Sequence, residues 1–272
     1  MDCPHCRSTA TSKRKHRTTL GYRRFSCRSC RRRFNERTGT PFNDLQFPTD
    51  IVLLAVLGRL RYKLGFRDVA ELLLQRGYEV THETVRAWEF RFAPLLSEQL
   101  RTRRRGKAGR SWYLDETYVK VGGHWRYLYR AIDRDGNLLD SMLSEQRDRS
   151  AARLFLRRLV DIAMQKPLRL TTDEHPAYRK AIRWILGRRV LHRQSRYLNN
   201  RIEQDHRAIK QRYYPMLGFG SMESAKRFCS AFDELRQYLR IRPRFGEQVS
   251  LSERRRVFLA RWQALTTELA AA

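Results

Sequence analysis

Three acids in this chain stand where a cation-binding site would need them. Asp115 interrupts an apolar strand pattern, Tyr113-Leu114-Asp115-Glu116-Thr117, where a charge would be stranded in the interior without a partner or a metal. Asp173 closes a second strand pattern, Leu170-Thr171-Thr172-Asp173, and the C-terminal ends of strands are where α/β sheets place their sites. Glu203 falls in a helical pattern: Glu203, His206, Arg207 and Lys210 are spaced i, i+3, i+4 and i+7, so one face pairs a carboxylate with three groups able to hold phosphate. Hard carboxylate oxygens suit Mg2+. Two such ions assist the attacking and the leaving oxygen of an in-line displacement at a phosphate, so the expected set is two Mg2+ ions, with Mn2+ able to substitute, on Asp115, Asp173 and Glu203.

Each acid also has a plainer reading. Glu203 could complete a capping box with Asn200, Asp173 could cap the helix starting near Pro176, and Asp115 could pair with an arginine. The joint placement of all three in one fold favours the metal site. The other acids read differently: Asp133 and Asp135 flank a turn, Glu116 belongs to the sheet face opposite Asp115, and Asp205 faces away from Glu203.

A second chemistry sits at the N-terminus. Cys3-Pro4-His5-Cys6 and Cys27-Arg28-Ser29-Cys30 are two C-x2-C pairs separated by twenty residues, a spacing that supplies four thiolates to one structural Zn2+ and leaves no open position for catalysis. A segment with so little aliphatic content needs a metal to fold; the alternative is four unligated thiols. Arg31, Arg32 and Arg33 beside the second pair are read as phosphate contacts or as a solvated charge run. Cys229, on an apolar helical face, reads as a buried small residue.

These residues require elements to carry them. Ile51, Leu54, Ala55, Leu57 and Leu60 mark one helix, and Val69, Ala70, Leu72 and Leu73 a second. Thr81 opens a third after a turn at Gly77, giving the spacing of a helix-turn-helix. Its recognition helix would present His82, Glu83 and Arg86 to DNA while Val85 and Trp88 pack inward, although a plain helical scaffold has the same period. Arg101 to Arg110, with six basic residues and two glycines, reads as a basic linker. Strands are predicted near 112–119, 124–132 and 137–144, the last two joined through the Asp135-Gly136 turn. A helix through Ala151, Leu154, Phe155, Leu159 and Ile162 follows, then a strand closing at Asp173, a helix from Pro176, a strand near 189–191 and two further helices. The order is that of a ribonuclease-H-like α/β domain with a mixed five-stranded sheet. The expected organisation is a zinc ribbon (1–40), a helix-turn-helix domain (41–100), the linker (101–110), the ribonuclease-H-like domain (111–245) and a C-terminal helical tail (246–272).

The composition agrees with a nucleic-acid partner. Lys and Arg number 57 against 28 Asp and Glu, a formal charge of +29. The longest apolar run, Ile51 to Leu57, is far shorter than the roughly 20 residues of a spanning helix, so no membrane partner is expected. The first residues lack a secretory pattern, so the chain is expected in the reducing cytoplasm. A G-x4-G-K-[ST] phosphate loop is absent, so no nucleotide is expected.

The runs from Leu114 to Lys120, Trp125 to Asp133, Thr171 to Asp173 and Tyr197 to Arg207 resemble, as contiguous words in order, the DDE transposases of bacterial insertion-sequence family six, over about residues 45 to 240. The resemblance implies that Asp115, Asp173 and Glu203 are the catalytic, metal-binding triad, with Lys210 the lysine seven residues after the Glu. It further implies replicative transposition through cointegrates, with double-stranded terminal inverted repeats and target DNA as partners. Two ends processed together imply a homodimer or larger assembly. The rivals are a non-enzymatic DNA-binding regulator that uses the ribbon and helix-turn-helix alone, and a ribonuclease-H-like nuclease that cuts without joining.

Overall fold

The computed structural model describes residues 1–195, 200–241 and 248–271. The motif residues Tyr197, Leu198 and Asn199 and the expected boundary at 245 lie outside them. Near the N-terminus, β1 (Thr11–Arg17), β2 (Arg23–Cys27) and β3 (Arg33–Asn35) form an antiparallel sheet in chain order. Its apolar interior is only Cys3, Cys27 and Phe34, with Phe25 stacked on Phe34 at 5.4 Å between ring centroids. So small a core buries little apolar surface of its own.

Three helices follow: α1 (Thr49–Arg61), α2 (Phe66–Leu74) and α3 (His82–Arg104). Gly77, at φ +79°, takes the left-handed turn between α2 and α3, and the Thr81 side chain caps α3 by accepting the Thr84 N–H at 3.2 Å. α1 is buried almost all round because α2, α3, the later helix α7 (Met222–Leu239) and the C-terminal α8 (Leu251–Ala271) surround it. Val52, Leu53 and Val56 are therefore as buried as the predicted stripe, whereas Leu54, expected inside, is 40% exposed. α3 also runs further than expected. Arg101 to Arg104, read as linker, form its last turn because Arg101 reaches the Asp140 carboxylate and Arg104 donates to Glu234 on α7 and to the Leu138 carbonyl.

The main sheet has the order β6-β5-β4-β7-β8, from β4 (Ser111–Val121), β5 (His124–Asp133), β6 (Leu138–Ser144), β7 (Arg169–Thr172) and β8 (Leu191–Gln194). β4, β5 and β6 pair antiparallel; β7 and β8 join parallel to β4, reached through α4 (Arg149–Ala163) and α5 (Pro176–Ile185). This is the expected ribonuclease-H-like arrangement. Asp133 serves the β5–β6 turn, accepting the Asp135 and Asn137 backbone N–H groups at 3.0 and 2.8 Å. Trp112, Leu114, Tyr129 and Leu170 pack one sheet face against α4 and α5. Val119, Leu128 and Leu143 belong to a second core that takes in α6 (Asn200–Tyr213) and α7 and continues without a break into α1–α3. Among the described residues no helix is long and apolar enough to cross a membrane.

Candidate active site

β4 pairs with β7 only through Ser111 to Tyr113, and β7 stops at Thr172. Asp115 and Glu116 therefore lie on β4 just past the end of its parallel neighbour, and Asp173 emerges where that neighbour ends. One carboxylate oxygen from each of Asp115, Glu116 and Asp173 lies within 4.8 Å of the others. Strand alternation does send the first two to opposite faces: Asp115 meets α6, its Oδ2 3.8 Å from His206 Nδ1, and Glu116 meets Arg147. The edge is open at this point, so both still reach Asp173. Two side chains of opposite faces can share a site at a free edge, which is why Glu116 escaped the sequence argument.

Arg147, between β6 and α4, closes the cluster. Its Nε donates to Glu116 at 3.1 Å and its Nη2 to Asp173 Oδ2 at 2.7 Å. Asp173 Oδ1 accepts the His175 backbone N–H at 3.1 Å, and the Thr172 hydroxyl donates to the Asp173 carbonyl at 2.8 Å. Burial first, then the Glu116 and Asp173 charges, push the Asp115 carboxyl up to about 7. Burial likewise pushes Glu116 up, against the pull of Tyr178 and Arg147. Burial opposes the charge on Arg147, but Glu116 and Asp173 outweigh it and keep the guanidinium firmly protonated. Three partly buried acids so close repel one another, and a single arginine does not neutralise them. An all-oxygen donor set of this charge fits a hard divalent cation such as Mg2+.

A transposase for the insertion-sequence-like element IS431mec of Staphylococcus aureus is 43% identical over 175 residues, covering 63% of this chain and 77% of that protein. The chain belongs to the DDE transposases of insertion-sequence family six. The S. aureus transposase for the IS257 element in transposon Tn4003 matches with the same identity and extent. The DDE-domain family profile covers residues 109–241. Among solved structures, the magnesium-bound catalytic core of HTLV-2 integrase, at 16% identity, aligns with 57% of this chain and 99% of that chain at a TM-score of 0.37, a likeness too slight to carry weight.

The remaining residues of this transposase fall as follows. Glu203 sits on the exposed side of the first turn of α6, outside the three-acid cluster. α6 docks through Ile202, Asp205, His206, Ile209 and Tyr213. His206 is therefore not the exposed phosphate contact its spacing suggested: it is 4% exposed, and burial, reinforced by Arg130, pushes it down to about 3, so it stays neutral. Arg207 is exposed and Lys210 half-buried. Asp205 is buried, as its position away from Glu203 required, and clasps α6 in place. It pairs with Arg130 of β5 at 2.8 Å and with Arg236 of α7 at 2.5 Å. No sequence signal singles out Arg147 or Arg130 among 57 basic residues.

On α3, Val85 and Trp88 are buried and Arg86 is exposed, as predicted. Glu83 lies 3.1 Å from His82 Nε2 and 3.0 Å from Arg86, and the Arg86 guanidinium lies over the Phe66 ring. In the ribbon, Cys3 meets Cys30 and Cys6 meets Cys27, each pair 3.6 Å apart between sulfurs, and all four converge within 4.8 Å. A zinc–sulfur bond of about 2.3 Å implies a tetrahedral edge close to that separation, so the thiols fit the ion. The Cys30 backbone N–H pulls the Cys27 thiol down to about 6, whereas the Ser8 backbone N–H does not stop burial and the neighbouring thiols from pushing Cys6 up to about 12. Arg31, Arg32 and Arg33 are all exposed beside it. Cys229 is buried, as expected.

Proposed function

We propose that this transposase cuts DNA at both ends of its insertion sequence and joins the freed 3′ ends to target DNA, in a replicative reaction that leaves cointegrates. The observation that carries the reading is the convergence of Asp115 and Asp173 where β7 ends. Two Mg2+ ions, or Mn2+, bound there would supply the Lewis acidity for strand hydrolysis and for attack by the 3′-hydroxyl. Asp115 and Asp173 offer oxygen ligands from the sheet, and Glu203 offers the third from α6, one helical turn before the His206 that touches Asp115. His206, neutral and buried, holds α6 against β4, while Arg207 and Lys210 on the same helix hold backbone phosphates.

DNA is held along the rest of the chain. His82 and Arg86 at the start of α3 read the double-stranded terminal inverted repeats in the major groove. Arg31, Arg32 and Arg33 contact phosphates from a ribbon folded around one Zn2+ on Cys3, Cys6, Cys27 and Cys30. The work divides among the ribbon (1–40), the helix-turn-helix (41–100) and the catalytic region (111–245). The protein acts in the bacterial cytoplasm, as a homodimer or larger assembly that processes two ends together. The experiment is incubation of purified protein with a plasmid carrying the element's ends and Mg2+. Nicks at the ends, followed by strand-transfer products, support the reading; binding without any metal-dependent product contradicts it.

A further inference from the structure

Past Glu116, the same face of β4 carries Tyr118 and Lys120, and the paired positions on β5 are Tyr129, Tyr127 and Trp125. Tyr118 is 49% exposed and Trp125 57%, large apolar rings that serve no core. The Tyr118 ring centroid lies 5.4 Å from that of Tyr127 and 6.5 Å from that of Trp125, so the three make one aromatic patch. It begins two residues along β4 from Glu116, a rise of about 7 Å. The patch is pre-set in shape. Gly122 N–H donates to the Phe219 carbonyl at 2.7 Å and Phe219 N–H to the Lys120 carbonyl at 2.9 Å, which pins the β4–β5 hairpin, and Tyr127 packs on the core beneath.

Its charge and chemistry select the occupant. Arg147, whose Nε donates to Glu116, lies at the inner end, and the exposed Lys120 flanks the outer end. A partner helix would ask for aliphatic pockets, whereas flat rings between cations suit a polyanion that presents π faces. We infer that Tyr118, Tyr127 and Trp125 form a stacking platform for unpaired nucleobases of the DNA strand whose backbone passes the carboxylates. The inference rests on the proposed site, since the platform has this role only if DNA lies there.

The test uses full-length, zinc-loaded protein without Mg2+, so that binding is read apart from catalysis. The probes are a blunt duplex and the same duplex with a short unpaired 3′ tail carrying 2-aminopurine. The wild type prefers the tailed probe and changes its fluorescence. Trp125→Leu and Tyr118→Leu each lose about tenfold on the tailed probe and little on the blunt one, while Trp125→Phe keeps most of the preference. Equal affinity of folded wild type for both probes overturns the platform, as does an intact preference in both Leu variants. So does a Trp125→Leu protein that changes only its sedimentation, which would make the patch a contact between copies. A wild type that prefers the tail yet never nicks DNA when Mg2+ is restored leaves the platform standing and sinks the catalytic reading.

Discussion

Arg147 donates through Nη2 to Asp173 at 2.7 Å and through Nε to Glu116 at 3.1 Å, so an arginine already pairs with two of the three clustered acids. A divalent cation at the cluster competes with it. Arg147→Gln should bind Mn2+ more tightly, by about 1 kcal/mol or roughly fivefold in Kd, the modest size reflecting partial exposure of both partners. Calorimetric titration checks this; weaker binding would show that Arg147 helps to form the metal site.

Asp115→Asn, Asp173→Asn and Glu203→Gln should each lower metal-dependent nicking by several kcal/mol of transition-state stabilisation, roughly a thousandfold or more, with DNA binding retained. Because Asp115 is desolvated and repelled by Glu116 and Asp173, its amide variant should not lose thermal stability in metal-free buffer. Unfolding of that variant would make Asp115 a structural residue.

The pH dependence has a definite sign. Asp115 has a folded pKa near 7, above the ordinary carboxyl value, so the folded protein binds the extra proton. Its contribution to metal-free stability is present at low pH and is lost as pH rises from about 4 through about 7. A divalent ion needs the deprotonated carboxylate. The rise in melting temperature on adding Mg2+ should therefore be larger at pH 8 than at pH 6, and a rise independent of pH would separate Asp115 from the metal.

Removal of zinc should unfold the ribbon, since Cys3, Cys27 and Phe34 are nearly all its core. Metal analysis should find one zinc per chain, lost in Cys27→Ser together with part of the DNA affinity. A ribbon whose proteolytic resistance survives chelation would contradict this.

The clasp behind α6 should be costly to break. Arg130 is fully buried between Asp205 and Asp233, so Asp233→Ala leaves a buried charge half-paired and should cost about 3 kcal/mol or more in chemical denaturation. A change under 1 kcal/mol would show that Asp205 alone satisfies the guanidinium.

The fold was largely legible because its signals are local. The Asp135-Gly136 turn, the strand alternation from Trp112 and the helical spacing around Leu159 each match an element within a few residues. Asp115 and Asp173 were legible for a related reason: a charge within an apolar strand and an acid at a strand's end are visible in the chain itself. Glu116 was not, because the sequence gives the faces of β4 but not where β7 stops pairing with it. His206 was misread because spacing places it on a helix face without saying that β4 covers that face. Arg101 to Arg104 read as linker because the partners that hold them helical, Asp140 and Glu234, are distant in sequence.

The most direct measurement of the central claim is a cointegrate assay in bacteria, with a donor plasmid carrying the element and its native flanks beside an Asp173→Asn version. Only the unaltered protein should fuse donor to target. Fusion by both would show that Asp173 is not catalytic, and fusion by neither, with DNA binding intact, would contradict replicative transposition by this protein.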